Sequence, residues 1–355
     1  MVLLDTTLLA ETLVRYKSTA DRPEELADCL DFCRDYLSEE GIRTRIINRH
    51  GKPSLLANMK GYSTGLLLTG HVDVVSGKES QFHPKRVKNK IMGRGAADMK
   101  AGCAIALNVM RRLSAENAND DVGLVLTSDE EIGGDEGIGH LVEKGLHAYF
   151  AVAMEPRQKG ITVEHKGMIW AKLHAKGISG HASRPWETQN AAVKLMKGVE
   201  EALALTPNST HEEWSDTASL TILSSGKVPN QVPDEAEAVI DYRTITEEAQ
   251  ERIIRELGKI PDIHVEILKR APMLTMAKDH SNINALRRIA QQRIGKTIPL
   301  IHGHGSSDMR WLSAKGIPCV EFGPNGNGHH GGEEWVSIPD MKKLEETYME
   351  FARRF

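Results

Sequence analysis

The sequence predicts an α/β fold: a catalytic domain with a mixed, largely parallel sheet flanked by helices, and a smaller α+β domain of ferredoxin-like pattern inserted into it. Three observations lead there. Short apolar runs such as "GLLLTGHVDVV" and "VGLVLTS" alternate with helical segments, the order that builds parallel sheets. Near residue 161 the texture changes to the apolar–polar alternation of "TVEHKGMIWAKLHAKG", as in a half-exposed strand. The chain has 355 residues, too many for one small core.

The elements follow in order. Residues 5 to 17 and 23 to 40 carry helical periodicity, and Gly41 stops the second helix. "IRTRIIN", "PSLLANM" and "GLLLTGHVDVV" are expected strands, then a helix from about Ala101 to Arg112. "VGLVLTS" is a buried strand, "DEGIGHLVEKG" a helix and "AYFAVAME" another buried strand. The insert comprises the strand after residue 161, a helix from Asn190 to Leu205, "ASLTILSSG", "EAEAVIDYRT", the helix "TEEAQERIIRELG" and "IHVEILKR". This β-α-β-β-α-β order is the split βαβ unit, placed at 167–272, so that 1–166 and 273–355 form the discontinuous catalytic domain. The last part predicts the helix "NINALRRIAQQR", the strand "IPLIHG", a helix from Ser307, the strand "IPCVEFG" and a final helix from Ile338.

Composition narrows the function classes. Apolar residues make up 40% and charged residues 26%, with net charge −4, which gives no reason to expect nucleic acid or an anionic membrane as partner. No apolar run approaches the roughly 20 residues that span a bilayer. The N-terminus "MVLLDTTLLAETLVRYKS" lacks a basic leader and reads as an amphipathic helix, so a cytoplasmic protein is expected. The four cysteines do not form a disulfide framework. Cys29 and Cys33 are expected to pack a helical layer, and Cys103 and Cys319 to be buried as small apolar groups.

Several polar residues fall where a buried strand does not need them. His71 and Asp73 end one apolar run, Glu130 and Glu131 follow the next, Glu155 ends a third, and His329 and His330 follow a fourth, while Asp98 lies in a loop before a helix. Open α/β sheets bind ligands at the carboxyl ends of their strands. Each motif has a plain structural reading: a solvated His-Asp pair, carboxylates at a helix start, or a flexible histidine loop. "GRGAADMKAG" lacks the spacing of a phosphate loop, which excludes nucleotide binding on that ground. The joint occurrence carries the weight. Histidines with carboxylates suit Zn²⁺, and also Co²⁺ or Mn²⁺, and the number of candidates points to two metals sharing a carboxylate.

The ordered set "TGHVDVV", "GRGAADMKAG", "TSDEEIGG", "MEP", "GISGHASRP", "SSDMR" and "HHGGEEW" resembles the dizinc aminoacylase and carboxypeptidase family, which includes succinyl-diaminopimelate desuccinylase, acetylornithine deacetylase and several dipeptidases. The resemblance runs from about residue 10 to the C-terminus. It implies that His71 and Glu155 ligate one of two Zn²⁺ ions per subunit, that Glu131 ligates the other, and that Asp98 bridges them. The last ligand lies four residues before Glu-aromatic-Val, which gives His330 before Glu334, Trp335 and Val336, with His329 as the competing choice. Asp73 would orient the His71 ring. Glu130 would be the general base that takes a proton from water and returns it to the leaving amine.

The same resemblance makes the insert a dimerisation lid, whose His181 would stabilise the oxyanion across a homodimer interface. Asn230 and Arg243 match substrate-carboxylate positions. Lys166 stands where desuccinylases carry Arg, a departure that replaces a bidentate fork with a point charge. Ser307 and Arg310 match a substrate loop, although Ser307 also reads as a helix cap. His302 and His304 flank that loop, and a metal role for them is set aside. The expected function is metal-dependent hydrolysis of the amide bond of an N-acyl amino acid, of the desuccinylase or deacetylase kind. A dipeptidase or carboxypeptidase is the alternative, and an inactive ligand-binding or dimerising relative a remote one.

Overall fold

The computed structural model describes residues 3–118, 121–156, 160–207 and 211–355. Contacts divide the chain into two units: Met1–Glu164 with Thr275–Ile301 and Ser307–Phe355, and His165–Leu274 with His302–Ser306. The sequence boundaries of the insert were 167 and 272. The excursion of His302–Ser306 into the second unit has no signal in the sequence.

The first unit is built on a nine-stranded sheet. Its centre is parallel: Val122–Thr127, Ser63–His71, His147–Ala153 and Cys319–Glu321 lie side by side. Towards one edge the sheet turns antiparallel through Lys52–Ala57 and Thr44–Arg49, so it is a mixed sheet, as expected. All six residues of Val122–Thr127 are buried, as expected of a strand covered on both faces. The helix Ala101–Ala115 buries 12 of its 15 residues, and a helix apolar nearly all round belongs in an interior. Its one buried amide, Asn108, is satisfied: it accepts from the Tyr36 hydroxyl at 2.6 Å and donates to Leu4 O and Thr6 Oγ1.

Gly102 on this helix explains how close it packs. A Cβ there would lie 2.3 Å from the carbonyl oxygen of Met154, so only glycine permits the approach. The helices Thr6–Arg15, Pro23–Ser38, Ser281–Ile294 and Ile338–Ala352 complete the layers. Cys29, Cys33, Cys103 and Cys319 are all free and buried. A small separate sheet, Gly326–Asn327, Trp335–Ser337, Lys90–Met92 and Lys85–Val87, escaped the sequence reading because its strands have two or three residues, too few to show a period.

The second unit has a four-stranded antiparallel sheet in the order Thr217–Ser225, Glu235–Thr244, Gly167–Lys176, Ile263–Ala271, with helices Ala191–Leu203 and Glu247–Leu257. The burial of Glu235–Thr244 alternates strictly, and its inward Ala238, Ile240 and Tyr242 pack with Leu195 and Ile253 from the helices. Asn190 and Thr246 cap those helices by accepting from Ala192 N and Ala249 N.

Three expectations need correction. The run from residue 161 is two strands, Ile161–His165 and Gly167–Lys176, which belong to different sheets. "DEGIGHLVEKG" forms an irregular turn over Asp135–Gly139 and only one helical turn, His140–Glu143, because Gly137 takes non-helical angles beneath Asp129. The helix expected from Ser307 covers only Met309–Ser313. Among the described residues no helix is long and apolar enough to cross a membrane.

Candidate metal centre

The parallel register delivers the first groups. His71 pairs with Thr127, and Thr69 with Ala153, so His71, the loop after Thr127 and Glu155 leave the sheet at the same edge. His71 is 2% exposed. Its Nε2 lies 3.2 Å from Asp98 Oδ1 and 3.8 Å from Glu155 Oε1. The other oxygen of Asp98, Oδ2, lies 3.4 Å from His330 Nε2, which is 2.9 Å from Glu131 Oε2. Two groups result, His71–Asp98–Glu155 and Asp98–Glu131–His330, each with ligand atoms within 4.8 Å of one another. Asp98 belongs to both and turns one oxygen towards each. This shared N/O donor set fits a pair of divalent cations of the zinc type. His329 is in neither group, and its ring centre is 6.0 Å from that of His330.

Glu130 and Glu131 sit on a short 3-10 turn, Glu130–Ile132, closed by Gly133 and Gly134 with φ of 119° and 64°. The tight turn sends the neighbours apart: Glu131 joins a ligand group, and Glu130 joins neither. Glu130 Oε2 is 4.0 Å from His71 Nε2, and Oε1 is 3.9 Å from the Arg310 guanidinium.

The electrostatics follow from crowding carboxylates in a buried place. Burial pushes Glu130 and Glu155 well above the usual carboxylate range, against the pull of His71. Burial opposes charge on His71, but its bonds to Asp73 and Asp98 and the field of Glu155 outweigh that and raise it well above the ordinary imidazole value. Burial also opposes charge on Asp98, yet its hydrogen bonds to His330 and His71 hold it below its ordinary value. Hydrogen bonds to Asp98 and Glu131 raise His330 to about 10.

Asp73 meets the His71 ring from just beyond the strand. The strand ends at His71, and His71 Nδ1 meets the backbone carbonyl of Asp73 at 2.9 Å, with its carboxylate at 3.5 Å. The carboxylate oxygen Oδ2 accepts from Glu131 N at 2.9 Å. Asp73 thus meets the ring through its main chain and, at longer range, its carboxylate, and the same carboxylate holds the Glu131 turn.

The expected substrate groups are dispersed. Arg310 is 2% exposed and donates to Ser307 O and Gly133 O. It braces the turn that follows Glu131. Ser307 is 5% exposed, donates to Glu321 and caps Met309 N, the cap role noted in the sequence. In the second unit, Arg243 is clamped bidentately by Asp241 at 2.9 Å. Lys166 is 2% exposed, with its Nζ 5.8 Å from the Trp214 ring centre. His302 and His304 pack on the same tryptophan. Asn230 is exposed, and its carbonyl accepts from Ala182 N. His181 is exposed, its Nδ1 2.7 Å from Ser183 Oγ. Sequence reasoning missed Arg94, Glu321 and Trp214. Arg94 lay inside a quoted motif, and its burial was the absent signal.

The profile of peptidase family M20/M25/M40 matches residues 67–354. The chain is 27% identical to succinyl-diaminopimelate desuccinylase of Sulfurovum sp. (strain NBC37-1), with 97% of each chain covered. It is 29% identical to the desuccinylase of Helicobacter pylori (strain HPAG1), with 79% and 78% covered. Its fold is similar to that of the M20 family metallo-carboxypeptidase Sso-CP2 from Sulfolobus solfataricus, at TM-score 0.84, 17% identity and 99% coverage of both chains. It is also similar to aminopeptidase PepT from Bacillus cereus, at TM-score 0.79, 20% identity and 99% coverage of both. The matched span contains every residue of both ligand groups, and the chain is a metal-dependent hydrolase belonging to peptidase family M20/M25/M40.

Proposed function

We propose that this chain hydrolyses the amide bond of an N-acyl amino acid, using two divalent cations, zinc by preference, and Glu130 as general base. His71 and Glu155 would hold one cation, Glu131 and His330 the other, and Asp98 would serve both. When bound, such cations acidify water and polarise a carbonyl oxygen. Glu130 takes the proton of the attacking water and returns it to the departing amine. The observation that carries this reading is the division of labour within the Glu130–Glu131 turn: one carboxylate lies in a ligand group and its neighbour stands 4.0 Å from His71 outside both.

The deacylase class rests on the desuccinylase relatives, which span nearly the whole chain. In the second unit Lys166, Arg243 and Asn230 are the candidates for substrate recognition. Among the described residues the edge strand Thr217–Ser225 pairs on one side only, and it exposes Leu220, Ile222 and Leu223 by 39%, 57% and 59%. Such an edge invites pairing, and supports a homodimer formed there, across which His181 would stabilise the oxyanion.

Two experiments test the reading. Zinc-supplemented protein is assayed on a panel of N-succinyl and N-acetyl amino acids and dipeptides; a hundredfold preference for an acyl amino acid is expected, and preference for dipeptides would move the chain to the peptidase branch. Glu130→Gln should retain its metal while kcat falls by about 10²- to 10⁴-fold; undiminished turnover would remove Glu130 from its role.

A further inference from the structure

The metal ligands Asp98 and His330 come from loops that are far apart in sequence, and one buried ion pair joins them. The antiparallel pairing of Trp335 with Met92 starts both loops from adjacent strands. Glu334, 2% exposed, then receives four donors. Its Oε1 accepts from Ala97 N at 2.9 Å and Asp98 N at 3.0 Å, and its Oε2 from Gly95 N at 2.9 Å and the Arg94 guanidinium at 2.7 Å. Arg94, 3% exposed, uses its other terminal nitrogen to donate to Gly331 O at 3.0 Å and Ser76 O at 3.4 Å. Gln81 Nε2 adds donors to Gly331 O and Gly332 O.

These bonds act on backbones that would not hold their shape unaided. His330 has φ of +60°, a left-handed conformation that a side chain with a Cβ takes only when its surroundings fix it. The carbonyl gripped by Arg94 and Gln81 is the next one along. On the other loop, the amides of Gly95, Ala97 and Asp98 itself are gathered by one carboxylate. A charge-assisted ion pair with every oxygen satisfied is a strong local restraint, and breaking one side of it leaves a buried charge alone.

We infer that Arg94 and Glu334 are positioning residues that assemble the Asp98–Glu131–His330 corner before any cation arrives, and so set the affinity of that corner selectively. The inference rests on the reading that this corner holds a metal. Neither residue is a ligand: neither belongs to a ligand group. Their effect passes through the loop backbones. The opposite group draws His71 and Glu155 from strand ends that the parallel sheet fixes independently, so it depends on the pair only through Asp98.

The test titrates Zn²⁺ into metal-free wild type, Arg94→Gln, Glu334→Gln and Gln81→Ala, by calorimetry with a competing chelator. Glu131→Gln and Glu155→Gln report which equivalent belongs to which corner. The equivalent weakened by Glu131→Gln should weaken at least tenfold in Arg94→Gln and Glu334→Gln, while the one weakened by Glu155→Gln stays within threefold. Gln81→Ala should show a smaller loss at the same corner. Hydrogen exchange of the metal-free wild type should show protected amides at Gly95, Ala97 and Asp98, with protection lost in Arg94→Gln. Equal weakening of both equivalents, no weakening of either, or unprotected amides in the metal-free wild type would each overturn the inference. If Glu334→Gln does not fold, the exchange data and the two milder variants decide. Wild type that binds fewer than two equivalents would instead overturn the metal reading beneath it, and the exchange result then decides the positioning role alone.

Discussion

Replacing Gly102 with alanine reaches the metal centre through packing alone. Its Cβ would sit 2.3 Å from Met154 O and 2.8 Å from Met154 Cβ, whereas real Cβ contacts stay beyond 3.0 Å. The helix Ala101–Ala115 and the end of the strand His147–Ala153 must therefore part by at least 3.0 − 2.3 = 0.7 Å. Asp98 lies just before this helix and Glu155 follows Met154 directly, so the displacement falls between two members of one ligand group. Zinc–oxygen bonds near 2.0–2.2 Å tolerate only a few tenths of an ångström, so zinc affinity should fall by about 10- to 100-fold. Overpacking of this kind costs about 1–3 kcal/mol of stability. Urea denaturation of the metal-free protein and zinc titration measure the two effects separately. A Gly102→Ala protein with wild-type zinc affinity and a stability change under about 0.5 kcal/mol would refute the reasoning.

Other consequences follow from single residues. Burial pushes the Asp308 carboxyl up to about 7, against the pull of Arg310 and with help from Asp129. A carboxyl raised above its unfolded value of about 3.9 contributes stability that is full below that pH and lost as pH rises through about 7. Asp308→Asn should flatten that part of the metal-free protein's stability profile, by a few kcal/mol between pH 4 and 8; an unchanged profile would show that Asp308 is not the group titrating. Asn108→Ala strands the Tyr36 hydroxyl and Leu4 carbonyl and should cost about 2–4 kcal/mol in urea melts, with a negligible loss as the contrary result. His181→Ala should sediment as the wild type does while kcat falls by about 10²- to 10³-fold; full activity in a variant that sediments unchanged would exclude the oxyanion role.

The sequence was most legible where one periodicity governed many residues. Val122–Thr127 and Glu235–Thr244 show their burial in their spelling, continuous in one and alternating in the other. The candidate site residues were legible for a different reason: His71, Glu130, Glu131 and Glu155 are polar groups at the ends of apolar runs, where a packed core has no use for them, and Asp98 came with the quoted motif set. Long-range satisfaction left no such trace. Arg310 reads as part of a substrate loop in the sequence, and only the fold shows it bracing Gly133 O from 177 positions away. The Arg94–Glu334 pair spans 240 positions, and although each partner lies in a quoted motif, nothing local shows that they pair. The irregular turn at Asp135–Gly139 was misread because Gly137 answers to Asp129 and Thr127 across the loop, while the helical period of the letters remains intact.

Anomalous diffraction at the zinc edge, from crystals of the zinc-loaded protein, tests the shared ligand site most directly. Two peaks are expected, one contacted by His71 and Glu155, the other by Glu131 and His330, with one oxygen of Asp98 on each. A single peak that Asp98 does not touch, or zinc bound at His302 and His304, would contradict the account.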